Sequence, residues 1–478
     1  MQERFCAAAR AENANCRSLM TGVYSGLSVY EMSAIKKKTG LTFAAIVIGG
    51  AILLSSWLAQ RVSAVGRDAY DNIEAFAGVL TMVQKHYVDD VSTKQLIDGA
   101  INGMLASLDP HSAYLTPELY KELQVDTRGS FGGLGIEITL RNGILTVVSP
   151  IEDTPAFRSG IKAGDQIIKI EHEFTKDMTL VEAVKRMRGP EGTKIHLTVR
   201  REGVPDWIEV DLKREVIQIK SVKFRLLEPG YGYLRVTQFQ ERTERDARKA
   251  IEELQKQSSG PLSGLVLDLR NNPGGLLSQA VRLSDLFLDS GVVVYTEGRL
   301  ENQKQKFFAH KQNSHTDVPM IVLVNGGSAS ASEIVAGALQ DHRRALLLGT
   351  QTFGKGSVQT ILPVEGDAAV RLTTARYYTP NGRSIQATVI TPDIIMEPPV
   401  ATASEAAQRP EGIRERNLPH HLDAPEEEDG DADQKGGENG AEPTSKAGEE
   451  KADPQLDRAL ELLKSWNVFK TVVAQSQP

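Results

Sequence analysis

The spacing of apolar residues changes along the chain. Between residues 68 and 123 they recur every three or four positions, which predicts helices that bury one face. From Gly129 to about residue 200 they alternate with polar residues, as in strands. From Gly232 to Pro380 near-continuous apolar runs alternate with amphipathic stretches, a pattern typical of βαβ units. The sequence therefore predicts an α/β protein of several domains: an N-terminal helical region (67–128), a β-rich domain (129–215) and a βαβ core (216–400).

Two turns of the predicted core follow buried strands. Leu265-Val266-Leu267 and Ile321–Val324 are apolar throughout, and the glycine-rich segments Arg270–Gly275 and Asn325–Gly327 come after them. Because α/β folds keep their sites at the carboxyl ends of strands, we expect the first turn to lie at a site. Its glycines either serve the turn alone or bring backbone N–H groups up to a substrate.

Three serines, Ser328, Ser330 and Ser332, follow the second turn at the start of a predicted helix. Serines in this position commonly cap the helix. The same position also places a nucleophile beside free backbone N–H groups and the positive end of a helix dipole, which stabilise a developing oxyanion. The sequence has no Gly-x-Ser-x-Gly motif, so an ordinary α/β-hydrolase is not indicated.

A serine nucleophile needs a base, and Lys355 is the best candidate. His342 lies at the far end of the helix, roughly 18 Å from Ser330 at a rise of about 1.5 Å per residue. His111 follows Pro110 in a turn, where a histidine is more often structural. In a dry site beside Ser330, Lys355 would be neutral at about pH 7, because desolvation lowers the pKa of a buried lysine.

The segment around this lysine, Gly349–Ser357, comes close to a phosphate-binding P-loop. That motif requires Ser or Thr directly after the lysine and then a helix. Here Gly356 follows the lysine and Val358–Pro363 is predicted as a strand, so nucleotide binding is not expected. We expect no cofactor and no metal, since the only cysteines, Cys6 and Cys16, precede the apolar N-terminal segment.

The N-terminal extension (1–66) carries an export signal. Lys36–Lys38 precede an apolar run from Leu41 to Leu58 that is long enough to span a membrane. We expect this run to remain as an anchor and the rest of the chain to lie outside the cytoplasm, in the periplasm. Cleavage after Val62-Ser63-Ala64 is the alternative, and Met32 is an alternative start.

Residues 401–455 are rich in Glu, Asp, Gly, Ala and Pro, a composition typical of disorder. From Asp423 to Asp453 there are 12 acids and 3 lysines, a net charge of -9; the whole chain carries -7, so the remainder carries about +2. The net negative charge is thus a property of the tail and gives no information about nucleic-acid binding. Residues 456–478 are predicted to form an amphipathic helix that docks on this chain or on a partner.

The β-rich domain resembles a PDZ domain. Gly133-Leu134-Gly135-Ile136 opens a strand, the hairpin signal Asn142-Gly143 follows, and Gly160–Ile167 completes the pattern. The resemblance implies that backbone N–H groups of Gly133, Leu134, Gly135 and Ile136 hold a peptide's C-terminal carboxylate while the strand edge accepts an added strand. A strand follows these glycines, so they are not a dinucleotide fingerprint.

Several motifs in order resemble those of the carboxyl-terminal processing peptidases, also called tail-specific proteases. They are Asp109-Pro-His-Ser, the PDZ segment, Arg270–Gly275, Gly327–Glu333 and Thr352–Gln359. The resemblance spans roughly residues 68–399. It implies a protease core of the crotonase or ClpP type with the PDZ domain inserted, and a serine-lysine mechanism.

The resemblance also implies a role for each matching residue. These are Ser330 as nucleophile, Lys355 as general base, Gln359 to orient the lysine, Ala331 with Gly274 or Gly275 as oxyanion donors, Asp341 in support and Arg188 to couple the PDZ domain to activity. Residues four apart in an extended strand are about 13 Å apart. Gln359 can therefore orient Lys355 only if the chain bends at Gly356 or the lysine folds back.

The predicted function is that of a serine endopeptidase that cleaves the C-terminal regions of exported proteins held by its PDZ domain. A non-catalytic, membrane-tethered PDZ scaffold is the alternative. The partners implied are proteins or peptides with free C-termini, the membrane, and a second copy or an adaptor, but not nucleic acid.

Overall fold

The computed structural model describes residues 70–141, 143–176, 178–311, 315, 317–397, 414–424 and 453–475. The run Leu41–Leu58 lies outside these residues, and among them no helix is both long and apolar enough to cross a membrane. The chain divides into two units, Met1–Leu96 and Ile97–Pro478.

In the first unit, helix α1 covers residues 70–86, and α2 (Thr93–Ala106) begins there and continues into the second unit. The side chains of Ile73, Phe76 and Val79 on α1 are exposed. The prediction that this helix buries its apolar face is therefore wrong within a single chain. Helical spacing shows that side chains share a face, but it does not provide the surface that covers them.

The second unit contains an inserted PDZ-like domain. Its elements are β2 (Ser130–Gly133), β3 (Ile136–Arg141), β4 (Ile144–Pro150), α4 (Pro155–Arg158), β5 (Gln166–Ile170), β6 (Glu173–Phe174), α5 (Leu180–Met187), β7 (Lys194–Arg200), β8 (Ile208–Lys213) and β9 (Glu215–Gln218). The main sheet has the order β3-β4-β5-β7-β8, so β3 is an edge strand. The entering strand β2 and the leaving strand β9 pair with each other, so the domain joins the core through a two-stranded ribbon.

Sequence signals account for the local structure of this domain. The predicted hairpin is confirmed, because Arg141 pairs with Ile144 and Gly143 has a φ of 75°. Helix α5 starts where the Thr179 hydroxyl and the Glu182 carboxylate cap each other's backbone N–H groups.

The βαβ core is built on a six-stranded sheet of order β10-β11-β12-β15-β16-β19. Its strands are β10 (Val222–Glu228), β11 (Tyr231–Val236), β12 (Gly264–Asp268), β15 (Met320–Val324), β16 (Leu346–Gly349) and β19 (Ile394–Ile395). All are parallel except β10. Helices α6 (Thr243–Gln257), α7 (Leu277–Asp285) and α8 (Ala331–Asp341) contribute to the hydrophobic core on one face.

A second sheet joins the strand β1 to the core. Its order is β1-β18-β13-β14, and β17 also pairs with β18. The strands are β1 (Ala113–Leu115), β13 (Val292–Gly298), β14 (Gln305–Phe308), β17 (Ser357–Pro363) and β18 (Ala369–Tyr378). The Asp109–Leu115 segment lies between α2 and α3 (Pro117–Arg128), where a turn was expected. It ends instead in β1, which pairs with β18 of the core.

The C-terminal helix, α9 (Pro454–Gln475), docks on its own chain and covers the other face of the six-stranded sheet. Leu456, Ala459 and Leu463 are buried there. Arg270 anchors the start of the helix through two bonds of 2.9 and 2.7 Å to the Asp453 carboxylate and one of 2.9 Å to the Gln455 Oε1 atom.

Disorder was predicted throughout residues 401–455, and this prediction is wrong for residues 414–424 and for those at the start of α9. Residues 414–424 include a short 3-10 helix, Glu415–Asn417, and Glu415 is buried in the core. Composition describes the average tendency of the segment, and one buried, hydrogen-bonded carboxylate reverses it locally. Residues 425–452 lie outside the described part of the chain.

Candidate active site

Ser330 occupies the strained turn between β15 and α8. It is the residue before the helix, with φ 57° and ψ -113°, and it is 8% exposed. A non-glycine residue at positive φ costs roughly 1–3 kcal/mol, and such strain clusters at functional sites. The side chain does not cap the helix; its Oγ atom lies 3.0 Å from the Tyr377 hydroxyl.

The other two serines hold the turn in place. The Ser328 hydroxyl donates to the Leu269 carbonyl (2.8 Å), and the Ser332 hydroxyl donates to the Asn272 carbonyl (2.9 Å). Both therefore tie the start of α8 to the loop after β12. The prediction that they cap the helix is wrong because these carbonyls lie within reach of their hydroxyl groups.

One buried carboxylate, that of Glu333, joins the backbones of the two predicted catalytic residues. Its Oε2 atom accepts hydrogen bonds from Ser330 N (2.8 Å) and Lys355 N (2.9 Å). Its Oε1 atom accepts from the Thr352 hydroxyl (2.6 Å) and from Gly354 N (2.7 Å). Burial outweighs these four hydrogen bonds and raises the pKa of Glu333 to about 7.

Replacing Glu333 with alanine is expected to lower the free energy of unfolding at pH 5 by roughly 2–4 kcal/mol, because four buried donors lose their acceptor. The pKa of Glu333 is raised in the fold from 4.5 to about 7. Its contribution to the free energy of unfolding is therefore complete below about pH 4.5 and is lost as the pH rises through about 7. Denaturant titrations of both proteins across this range measure the difference.

The exposed Glu365 provides a control, since its replacement by alanine should leave the unfolding midpoint unchanged. A loss of stability no larger for Glu333→Ala than for Glu365→Ala would show that the carboxylate does not hold the two backbones.

Lys355 lies two residues before β17 and is half-buried among charged side chains. Burial lowers the pKa of its ammonium group, the Glu415 carboxylate is the strongest charge that raises it, and the Arg371 guanidinium lowers it further. Asp109 and Glu333 also raise it. Within the described residues the Nζ atom makes no hydrogen bond, so the amine and the Ser330 hydroxyl are not joined in this arrangement.

The glycine turn after β12 lies against the nucleophile. A Cβ atom on Gly274 would approach Ser330 Cβ to 2.9 Å and the Ala329 carbonyl to 2.8 Å, so only glycine fits here. Gly274 N donates to Asn272 Oδ1 (2.9 Å). Gly275 N and Ala331 N have no hydrogen-bond partner in the part of the chain that the structure describes.

The structure does not bring Gln359 onto Lys355. The Gln359 amide donates to the Ser357 hydroxyl (2.9 Å) and lies 3.4 Å from the Thr373 hydroxyl. Its predicted role, to orient the lysine, remains a prediction. Asp341 ends α8 at the opposite end from the nucleophile, where it accepts from Asn381 N (2.9 Å).

A groove in the PDZ domain contains the predicted peptide-binding residues. It is a cavity of about 90 Å³ between β3 and α5, lined by Gly133, Leu134, Gly135, Ile136, Val184, Met187 and others. Leu134 N and Gly135 N have no hydrogen-bond partner among the described residues, and β3 is an edge strand. The Arg188 guanidinium lies at one end, 4.6 Å from the centre of the Phe131 ring.

Comparisons with known proteins agree with this architecture. Residues 230–396 match peptidase family S41, residues 132–212 match the PDZ domain, and residues 51–118 match the N-terminal domain of the activating protease CtpB. A carboxy-terminal-processing protease of Bartonella bacilliformis is 51% identical over 335 residues, which cover 70% of this chain and 77% of that protein. The chain belongs to the carboxyl-terminal processing peptidases. It is a serine-type peptidase with a PDZ domain, so the non-catalytic scaffold is not supported.

Two further relatives of this peptidase are more distant. The carboxy-terminal processing protease CtpA of Bacillus subtilis is 36% identical over 346 residues, which cover 72% of each chain. The solved structure of a photosystem II D1 C-terminal processing protease is 32% identical, covers 67% of this chain and 92% of its own, and has a TM-score of 0.39.

Sequence reasoning about the peptidase missed three residues that the structure brings to the site. Glu333 stands three residues after Ser330, a spacing at which a glutamate accepts from a backbone N–H group at a helix start, so this signal was available. Tyr377 and Glu415 come from β18 and from the tail, and no local pattern connects them with Ser330 or Lys355.

Proposed function

We propose that the peptidase uses Ser330 as nucleophile and Lys355 as general base. The observation that carries this proposal is the Glu333 carboxylate, which accepts from the backbone N–H groups of both residues. It keeps the serine and the lysine loop adjacent although 24 residues lie between them. Burial also lowers the pKa of Lys355, as a neutral amine base requires.

The proposed reaction has two steps. The amine of Lys355 takes the proton of the Ser330 hydroxyl while Oγ bonds to the peptide carbonyl carbon. The resulting oxyanion accepts hydrogen bonds from Ala331 N and Gly275 N, which have no other partner among the described residues. The C–N bond breaks, the lysine returns its proton to the leaving amine, and water then hydrolyses the acyl-enzyme.

We further propose that the PDZ groove holds the C-terminus of the substrate. Leu134 N and Gly135 N would donate to the terminal carboxylate, and the free edge of β3 would pair with the peptide backbone. The apolar side chains of Val184 and Met187 in the groove favour an apolar last residue. A bound C-terminus would make cleavage selective for chain ends.

A peptide with an apolar C-terminal residue tests this function when it is supplied as the free acid and as the amide. We expect the free acid to be cleaved with a KM about tenfold lower, because a lost charged contact in the groove costs about 1.4 kcal/mol. Val184→Glu should raise the KM for the free acid by a similar factor while kcat is retained. Progress curves followed by mass spectrometry give both constants.

Val181 provides a matched control, since it lies on the same helix with its side chain 69% exposed. Val181→Glu introduces the same charge outside the groove and should leave KM unchanged. Equal cleavage of acid and amide would contradict the proposed role of the PDZ groove.

For its location, we propose that the peptidase acts outside the cytoplasm on exported proteins. This proposal is supported by the positively charged flank Lys36–Lys38 followed by the apolar run Leu41–Leu58. The same run would tether it to the membrane.

A further inference from the structure

The tail segment 414–424 brings one buried carboxylate, that of Glu415, to the loop that carries Lys355. We propose that Glu415 is a positioning residue of the peptidase: it holds this loop in place and supplies a buried negative charge to the surroundings of the lysine. The inference rests on the proposed role of Lys355 as the base. Glu415 also lies beyond residue 396, where the match to the peptidase family ends.

The contacts of Glu415 bracket the lysine. Its backbone N–H donates to the Phe353 carbonyl, two residues before Lys355 (3.2 Å). On the other side, Gln386 bridges the carboxylate to the loop: its Nε2 atom donates to Glu415 Oε1 (2.9 Å), and its Oε1 atom accepts from Gly356 N (3.0 Å). The loop is therefore fixed to the tail segment both before and after the lysine.

His111 supplies the remaining contacts of the carboxylate. Its Nε2 atom lies 2.9 Å from Oε1 and 2.7 Å from Oε2 of Glu415. Glu415 is 1% exposed, and a carboxylate so deeply buried is tolerated only when it is paired and hydrogen-bonded. The His111 side chain of the Asp109-Pro-His-Ser motif thus serves this carboxylate, which explains its presence without a role as base.

The charges that face Lys355, and the histidine that pairs with one of them, come from four elements. Glu415 belongs to the tail segment, Asp109 and His111 precede β1, Arg371 extends from β18, and Glu333 belongs to α8. Burial and Arg371 favour the free amine, whereas the three carboxylates favour the ammonium ion. Because Glu415 has the largest effect among these charges, its removal should shift the balance most.

The test replaces Glu415 in two ways. Glu415→Gln removes the charge and keeps an acceptor for Gln386 and a polar amide group that faces His111. We expect it to move the acidic limb of the pH profile of kcat/KM to lower pH by about one unit. Glu415→Asp keeps the charge but shortens the side chain, so it should lower kcat about tenfold and leave the limb in place.

A second readout reports on the lysine without catalysis. In a Ser330→Ala background, competitive acetylation by acetic anhydride followed by mass spectrometry gives the pH midpoint of Lys355. Glu415→Gln should lower this midpoint by the same amount as the kinetic limb. Asp423→Asn is the matched control, because it removes the same charge from the same segment where the side chain is 95% exposed, and it should change neither quantity.

The outcomes separate the inference from the proposed function. An unchanged acetylation midpoint in Glu415→Gln, or one that moves equally in Asp423→Asn, would overturn the role of Glu415. A lowered midpoint with an unmoved kinetic limb would instead show that Lys355 is not the base. If Glu415→Gln does not fold, an undiminished kcat in Glu415→Asp would overturn the positioning role.

Discussion

Replacing Ser330 with alanine is expected to lower kcat/KM by about 10⁴-fold or more, because it removes the atom that attacks the peptide carbonyl. The fold should persist, since the Ser330 side chain makes one hydrogen bond, to Tyr377, and the Glu333 network uses only its backbone. Hydrolysis of a C-terminally free peptide measures the loss, and capture of a serine-directed fluorophosphonate, located by mass spectrometry, identifies the residue.

Ser328→Ala and Ser332→Ala are the controls for this prediction. Each removes a hydrogen bond to a loop carbonyl, which costs roughly 1 kcal/mol of stability, and each should retain the site that binds the probe. If the probe labels Ser330→Ala as fast as the unmodified protein, or if one of the flanking serines is required for labelling, Ser330 is not the nucleophile.

Lys355→Arg is expected to lower kcat by about 10³-fold, because arginine stays protonated and cannot accept the serine proton. Lys355→Met should lose a similar factor, since it removes the amine but keeps the length of the side chain. The measurement is single-turnover acylation of each variant across the pH range, which isolates the step in which the base acts.

The two variants distinguish a lysine that acts as a general base from a lysine that supplies only a positive charge. A lysine that serves only as a charge near Glu415 and Asp109 would be replaced successfully by arginine and not by methionine. Near-normal acylation in Lys355→Arg would therefore contradict the proposed base, whereas loss in both variants supports it.

Local structure follows well from the sequence because it depends on residues that are near each other in the chain. The hairpin at Gly143 forms as predicted. In α6 the buried residues Ala247, Ala250, Ile251 and Leu254 recur every three or four positions, as expected of an amphipathic stretch. The mostly parallel, six-stranded core follows from its continuous apolar strands, which helices cover on both sides.

The environment of the site depends on residues that are far apart in the chain, and no pattern in the sequence reports such distances. The turn and its glycines indicated a site near the three serines and Lys355, and the family resemblance singled out Ser330. The neighbours that set the chemistry of these residues, Tyr377 and Glu415, come from distant parts of the chain. The tail was predicted to be disordered because of its average composition. An average does not identify a single residue, such as Glu415, that becomes buried. Gln359 shows the opposite case, since its motif matches but its amide donates to the Ser357 hydroxyl and makes no hydrogen bond to Lys355 among the described residues.

The anchoring of Arg270 by Asp453 and Gln455 bears on the order in which the chain is synthesised. A chain leaves the ribosome from its N-terminus, so Arg270 emerges long before its partners. Until Gln455 has emerged, the loop that ends in Gly274 and Gly275 lacks its anchor and the sheet beneath α9 is uncovered. A nascent chain therefore carries an incomplete centre until Gln455 has been synthesised.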